Sequence, residues 1–261
     1  MSNVIKLRYP SGQPIPSNVA RALLITGKVG FLSRDMWTTF FGEGSERWQR
    51  QQIADLVSRG YLRLHSNPEA GSMYVLSRKG IAVVEELGGS VVHAPPVTYL
   101  NHDRVVAKGL MELQDRKLIK NWVCEREMKR DGVKHFLVSN RDGELKYPDA
   151  VFVIHAFGKV RTVALEYERI RKSYSRYKSI LWQYSGLTNV SMVLFAYQTK
   201  NIKTTIEAAM KYMGNTPLVD RLAFVDAEEW KRSPEHAEIT LKTGTIKLAV
   251  ACEPFEEKLA A

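Results

Sequence analysis

Residues 148–168 read PDAVFVIHAFGKVRTVALEYE, and this stretch decides the fold of the chain around it. The apolar, β-branched residues at 150–154 predict one strand, and the alternating pattern at 159–165 predicts a second. Between the two strands, the turn residues favour a tight connection centred on Phe157 and Gly158. The sequence therefore predicts an antiparallel β-hairpin.

Three carboxylates converge at the open end of this hairpin. Antiparallel pairing sets Asp149 opposite Glu166, with their Cβ atoms about 5 Å apart. Side chains alternate along a strand, so Glu166 and Glu168 share one face while Tyr167 points to the other, toward the core. Carboxylates this close repel one another unless they are protonated or neutralised, and Mg²⁺ or Mn²⁺ is the usual counter-charge. The alternative is a solvated strand face that binds nothing.

A basic segment follows the carboxylates directly. Residues 169–178 read RIRKSYSRYK and contain no acidic side chain. A cation site beside a segment that attracts phosphate indicates phosphodiester chemistry. The predicted DNA contacts in this segment are Arg169, Arg171, Arg176 and Lys178.

The composition predicts a basic globular protein of two domains. A chain of 261 residues can bury a sizeable core, and its net charge of +10 suits a polyanionic partner. Charge alone does not separate DNA from RNA or from an anionic membrane. Cys124 and Cys252 are too few and too far apart for a disulfide framework or a zinc site. No signal-peptide pattern or membrane-spanning apolar stretch is found, which predicts a cytoplasmic protein that does not insert into membranes.

The amino-terminal third predicts a winged helix-turn-helix. Glycines and prolines at 88–96 indicate a linker, and the predicted domains are 1–90, for DNA binding, and 91–261, for catalysis. The predicted elements of the first domain are a helix at 17–26 ended by Gly27, a helix from Ser33 to about Phe41, a helix from Ser45 to Arg59, wing strands at 61–65 and 73–76, and a helix from Ser77 to about Leu87.

The third of these helices is the predicted DNA-recognition helix. Its side chains can hydrogen-bond to base edges and phosphates in a major groove, although a solvated face or a protein contact is an alternative. Near the wing, Arg63, Arg78 and Lys79 can meet phosphates, which position a protein without specifying sequence. Core packing is predicted for most of the aromatic residues Trp37, Phe40, Phe41 and Trp48. The predicted groove contacts are Arg47, Gln49, Arg50, Gln51 and Gln52.

The remainder of the chain predicts a mixed α/β domain with the acidic hairpin at its centre. The order around the hairpin is α-β-β-β-α-β. Its predicted elements are a helix at 101–116, an edge strand at 120–128 with Glu125 and Glu127, the hairpin, a helix at 171–184, a strand at 190–197, a helix at 202–213 and a strand at 222–225.

This order resembles the PD-(D/E)xK nuclease fold of restriction endonucleases, with Pro148-Asp149 and Glu166-x-Glu168 as the motif. Glu168 stands where that family usually has lysine, and Lys172, one turn into the next predicted helix, is the candidate for the missing positive charge. More narrowly, the chain looks like MOBC-type (MobC) relaxases and plasmid replication-relaxation proteins over most of its length. The matching features are the winged helix, Leu100-Asn-His102, Trp122-Val-Cys-Glu125, Pro148-Asp149-Ala and Leu165-Glu166-Tyr-Glu168-Arg.

The resemblance implies a bacterial metal-dependent endonuclease that binds a plasmid origin of transfer and nicks one DNA strand to start conjugative mobilisation. It implies that Asp149, Glu166 and Glu168 hold Mg²⁺ or Mn²⁺, and that an accessory mobilisation protein and a coupling protein are partners. His102 is a candidate proton carrier or phosphate ligand, and equally a capping or core histidine. The attacking group is activated water or a tyrosine, the candidates being Tyr174, Tyr177 and Tyr184.

Two other functions stay open at this point. One is a winged-helix regulator of plasmid replication whose nuclease-like domain is inactive. The other is a restriction- or repair-type endonuclease, which cuts both strands or acts without a transfer origin.

Overall fold

The computed structural model describes residues 15–67, 71–139, 145–214 and 216–255. The chain divides into two compact units, Met1–Arg104 and Val105–Ala261. The predicted fold class, mixed α/β, is confirmed. The predicted domains 1–90 and 91–261 stay a prediction. Among the described residues, none of the helices has the length and apolar character needed to cross a membrane.

The described residues of the first unit form helices and a small antiparallel sheet. Three of the helices begin at predicted serine caps, because the hydroxyls of Ser33, Ser45 and Ser77 each accept a hydrogen bond from a backbone N–H in the first turn. The elements are α1 (Ser17–Val29), β1 (Leu32–Ser33), α2 (Arg34–Phe40), α3 (Glu46–Ser58), β2 (Leu62–Asn67), β3 (Gly71–Leu76) and α4 (Arg78–Glu86). In the sheet, β3 lies between β1 and β2.

The first helix is longer than the sequence predicts. Gly27 does not end it; α1 continues to Val29 and stops at Gly30, whose φ of 87° is left-handed. Gly27 is instead a position of close packing, since an added Cβ would lie 2.6 Å from the Ser90 carbonyl oxygen and 2.9 Å from a methyl group of Val84. Gly27 therefore leaves room for this close contact and does not end the helix.

The second unit is built on a seven-stranded mixed sheet. Its elements are α5 (Leu100–Asp115, which begins in the first unit), β4 (Ile119–Cys124), α6 (Glu125–Asp131), β5 (Val138–Ser139), β6 (Leu145–Lys146), β7 (Ala150–Ala156), β8 (Lys159–Glu168), α7 (Tyr174–Ser185), β9 (Met192–Tyr197), α8 (Lys200–Met213), β10 (Leu222–Asp226), α9 (Ala227–Arg232), β11 (Glu238–Leu241), β12 (Gly244–Lys247) and α10 (Leu248–Ala251). The strand order is β12-β11-β10-β9-β8-β7-β4, and β8, β9 and β10 are parallel. The elements α5, β4, β7, β8, α7 and β9 follow the predicted α-β-β-β-α-β order, but α6, β5 and β6 are inserted between β4 and β7.

The central hairpin has the predicted register. Ala156 pairs with Lys159, which leaves Phe157 and Gly158 as a two-residue turn between β7 and β8. Both turn residues have positive φ, 53° and 67°, as a tight turn matched to the twist of the strands requires.

The predicted strand at 120–128 is wrong in its second half. β4 ends at Cys124, so Glu125 and Glu127 lie on helix α6. The Glu127 carboxylate accepts the Cys124 backbone N–H at 3.1 Å, and the Lys129 ammonium lies 2.7 Å from the Glu125 carboxylate one turn earlier. These local contacts are helical ones, and they outweigh the strand preference of the preceding residues.

Both faces of the central strand β8 are covered. Val163 and Leu165, on one face, have no exposed surface, and Ala164, on the other, packs into the core beneath α7 and α8. Strands buried on both faces are normally continuous apolar runs. Glu166 and Glu168 are exceptions, because they are acidic residues at buried positions of β8.

Candidate functional site

Glu166 and Glu168 lie at the end of β8, on the face that α7 covers. Only 1% of Glu166 and 2% of Glu168 is exposed. Ala164 lies two positions before Glu166 on the same face of β8. It belongs to the same hydrophobic core as Tyr177 and Tyr184 of α7. The alternative of a solvated strand face is therefore wrong. Charges this deeply buried need partners that compensate their lost hydration.

Glu166 is held by a lysine and a tyrosine. One carboxylate oxygen forms an ion pair with the Lys146 ammonium on β6, and the other accepts the Tyr184 hydroxyl. Burial raises the pKa of Glu166 to about 7; Lys146 opposes this rise, and the carboxylates of Asp149 and Glu168 add to it. Glu166 therefore titrates far above the range of an ordinary glutamate.

The pKa values of Lys146 and Tyr184 are shifted by the same group of carboxylates. Burial by itself lowers the pKa of Lys146, but attraction to Glu166, Asp149 and Glu168 outweighs burial, and the net pKa is raised. The pKa of Tyr184 is also raised, first by burial and then by the Glu166 carboxylate. Lys146 thus stays protonated and Tyr184 stays a hydroxyl donor.

Glu168 has a parallel pair of partners. The Lys172 ammonium contacts both of its carboxylate oxygens, and the Tyr177 hydroxyl lies 3.4 Å from one of them. Burial and the Glu168 carboxylate raise the pKa of Tyr177 to about 12. The predicted position of Lys172 within the helix is wrong: α7 begins at Tyr174 after the Ser173 cap, so Lys172 precedes it. The predicted positive charge is nevertheless beside the carboxylates.

Asp149 completes the group of carboxylates. Ala150 pairs with Leu165, so the register brings Asp149 beside Glu166 as predicted. One oxygen of Asp149 accepts the Tyr167 backbone N–H at 2.7 Å. The charge of Asp149 also raises the pKa of Glu166 and that of Lys146.

The tyrosine candidates for nucleophile differ in their environment. Tyr177 and Tyr184 are fully buried and hydrogen-bonded to the glutamates, whereas 42% of Tyr174 is exposed. Tyr167 is buried on the other face, where its hydroxyl donates to Gln198 at 3.1 Å. Two of the three candidates therefore orient carboxylates.

The donor chemistry of Asp149, Glu166 and Glu168 suits a hard cation such as Mg²⁺ or Mn²⁺. Within the described ranges, however, no three carboxylate, histidine or cysteine side chains are placed to hold a metal ion together. The ammonium groups of Lys146 and Lys172 supply positive charge at the glutamates instead. Both lysines reach solvent, with 24% and 36% of the side chain exposed, so each can swing outward on its flexible stem.

The predicted DNA-contacting residues lie mostly on the surface. On α3, Arg47, Arg50 and Gln51 are exposed, while Gln49 is half-buried and donates to the Gly44 carbonyl oxygen at 3.2 Å. The remaining predicted contacts are exposed, apart from the half-buried Gln52 and Lys178: Arg63, Arg78, Lys79, Arg169, Arg171 and Arg176.

The aromatic residues with a core-packing prediction differ in burial, and Phe40 is half-buried. Trp37 and Phe41 are buried, whereas 56% of Trp48 is exposed on α3. A large apolar ring therefore lies beside the predicted groove contacts.

His102 lies on α5 within the first unit. Its Nδ1 is 3.1 Å from the Asp103 carboxylate, and both side chains are largely buried. The carboxylate site is formed by the second unit, and the proposed roles of His102 stay predictions.

Lys146 is the residue of the site that sequence reasoning missed. It lies three positions before Asp149 and directly before the buried Tyr147-Pro148 pair. The available signal was a lone lysine three positions before the aspartate that precedes the apolar strand β7.

The comparisons with known proteins add no family. No protein-family model matches the chain, and no curated protein or solved structure matches it.

Proposed function

We propose that the second unit cleaves a phosphodiester bond of DNA with the help of Mg²⁺ or Mn²⁺, and that the first unit binds the DNA. The observation that supports this most is the convergence of Asp149, Glu166 and Glu168 with two lysines at the end of one hairpin. Carboxylates and lysines grouped in this way are typical of phosphodiester chemistry.

Each residue has a defined part in this proposal. Asp149, Glu166 and Glu168 would hold the cation, which when bound stabilises charge on the phosphate and activates the attacking water. Tyr184 and the Tyr167 backbone N–H orient two of the carboxylates. Lys146 and Lys172, which pair with the glutamates in this structure, would supply positive charge to the negative phosphate.

The resemblance to MOBC-type relaxases refines the proposal. It assigns the substrate as a plasmid origin of transfer and the product as one nicked strand, made in the bacterial cytoplasm with accessory mobilisation and coupling proteins. Exposed Arg47, Arg50 and Gln51 on α3 suit the recognition of a major groove.

The test is cleavage of a supercoiled plasmid that carries the cognate origin, resolved on an agarose gel. Wild-type protein with Mg²⁺ or Mn²⁺ should give open circles, and EDTA should abolish them. Asp149→Asn keeps an oxygen for the Tyr167 N–H but removes the charge, and should slow nicking by about a hundredfold or more. Glu166→Gln should act similarly.

The control is Asp220→Asn, which neutralises an exposed aspartate paired with Lys242 and should nick like wild type. Full activity of Asp149→Asn and Glu166→Gln, with both variants folded by circular dichroism, would exclude the proposed site. A linear product would replace the nickase by a restriction- or repair-type endonuclease.

A second candidate function has its own supporting observation. Both glutamates are already neutralised by lysine and tyrosine partners, which also fits an inactive domain stabilised by these contacts. The protein would then be a winged-helix regulator. It would bind its operator tightly and leave the plasmid supercoiled with either cation.

A further inference from the structure

One side of α7 carries two exposed aromatic side chains with a half-buried lysine between them. Tyr174, Lys178 and Trp182 follow one another at intervals of four residues and so lie along one side of the helix. The exposed fractions of Tyr174 and Trp182 are 42% and 44%. Tyr177 and Tyr184 lie on the side of the same helix that contacts the glutamates. α7 therefore joins this surface to the carboxylate site.

The neighbouring helix α8 adds a second ring. Tyr212 is 62% exposed, and the Lys178 ammonium lies 3.5 Å from the centre of its ring. The same ammonium lies 5.3 Å from the centre of the Tyr174 ring. The ring quadrupoles of both tyrosines attract this ammonium and hold its positive charge beside the exposed rings. Together Tyr174, Lys178, Trp182 and Tyr212 form what is called here the α7–α8 aromatic surface.

The charge of the surrounding chain selects the type of ligand. Residues 169–206 contain no aspartate or glutamate. A polyanion is complementary to such a segment, whereas a segment without carboxylates offers no counter-charge to a basic partner. The basic residues of the segment are Arg169, Arg171, Lys172, Arg176, Lys178, Lys200 and Lys203.

We infer that the α7–α8 aromatic surface binds single-stranded DNA by stacking unpaired bases on its rings. Aromatic side chains alternating with basic ones are how proteins hold single strands without sequence preference. Duplex DNA keeps its base faces stacked on one another and offers only phosphates to the same residues. The inference rests on the proposed function for the identity of the strand, which is the one that carries the cleaved phosphate.

The test compares the affinity of the full chain for two fluorescent ligands by anisotropy. One is a single-stranded dT oligonucleotide of about 16 bases, a length that covers one binding site of this kind. The other is a mixed-sequence duplex of equal length. Trp182→Ala and Tyr212→Ala should each weaken binding of the single strand about fivefold or more, because one stacked base is lost. Duplex affinity should stay within about twofold.

Tyr99→Ala is the matched control, since Tyr99 is a similarly exposed aromatic residue of the first unit, at 58%. It should bind both ligands as wild type does. Unchanged binding of the single strand by Trp182→Ala and Tyr212→Ala overturns the inference, as does an equal loss on the duplex.

A protein interface is the competing use of this surface. If sedimentation shows that Tyr212→Ala separates an associated wild type into monomers while single-strand affinity is unchanged, the inference is overturned. The proposed function is judged separately by nicking. Asp149→Asn should bind the single strand normally, so a chain that binds it but never nicks contradicts only the proposed function.

Discussion

Two neighbouring glutamates on one buried strand face set the energetic problem of this site. Each buried carboxylate loses several kcal/mol of hydration, which only good geometry and additional hydrogen bonds recover. For Glu166 and for Glu168, one lysine and one tyrosine supply these compensating contacts. Removal of a single partner should therefore expose the full cost of the buried charge.

Lys146→Met tests this cost directly. The substitution keeps the length of the apolar stem and removes the cation beside Glu166, which is 1% exposed. In metal-free buffer of mildly alkaline pH, the free energy of unfolding by urea should fall by about 3 kcal/mol or more. Glu166→Gln in the same chain should restore most of the loss, because no buried charge remains.

The pH dependence of this loss follows from the pKa of Glu166, about 7 in the folded chain. Because Lys146 lowers this pKa, its removal raises the pKa of Glu166 further, so the penalty of Lys146→Met should be smallest below about pH 7 and grow as the pH rises above that value. Lys242→Met, which breaks an exposed pair with Asp220, is the control and should cost less than about 1 kcal/mol at any pH. Equal losses from both lysine variants would contradict a buried ion pair.

At the scale of elements, the turn between β7 and β8 offers the sharpest test. Phe157 has a φ of 53°, which costs a residue with a Cβ about 1–2 kcal/mol. Its side chain is 64% exposed, so it contributes little packing in return. Phe157→Asn should raise the free energy of unfolding by about 0.5–1 kcal/mol, because Asn-Gly is the favoured pair in this turn.

The matched change in the opposite direction is Phe157→Val. A β-branched residue tolerates positive φ poorly, so this variant should be less stable than wild type in the same urea titration. The order Asn, Phe, Val from most to least stable is expected. A chain in which Asn is no better than Val would contradict the turn geometry.

The elements that could be predicted from sequence are those with local signals. Serine caps at Ser33, Ser45 and Ser77 and the turn at Phe157-Gly158 depend on residues a few positions apart. The end of α1 could not be predicted in this way. The role of Gly27 depends on close contacts with Val84 and Ser90, which lie far along the chain. At α6 the Glu125–Lys129 spacing is a local helical signal, but the sequence prediction extends the preceding strand through it.

The same distinction holds for the site when the whole molecule is considered. Strand register alone brings Asp149 and Glu166 together, so the sequence predicts that these two carboxylates lie side by side. The pairing of Lys146 with Glu166 joins β6 to β8, and that of Tyr184 joins α7 to β8. Such pairings depend on how helix and strands pack, which no periodicity within one segment encodes.

At the scale of the whole molecule, we propose that Asp149, Glu166 and Glu168 bind a divalent cation once the lysines move aside. Titration with Mn²⁺, followed by the loss of the free-ion signal in electron paramagnetic resonance, tests it most directly. Wild type and the control Asp220→Asn should bind Mn²⁺ alike, and Asp149→Asn should bind it at least about tenfold more weakly, as expected when a charged ligand is lost. Wild-type protein that leaves Mn²⁺ free, or Asp149→Asn that binds it equally well, would contradict the account.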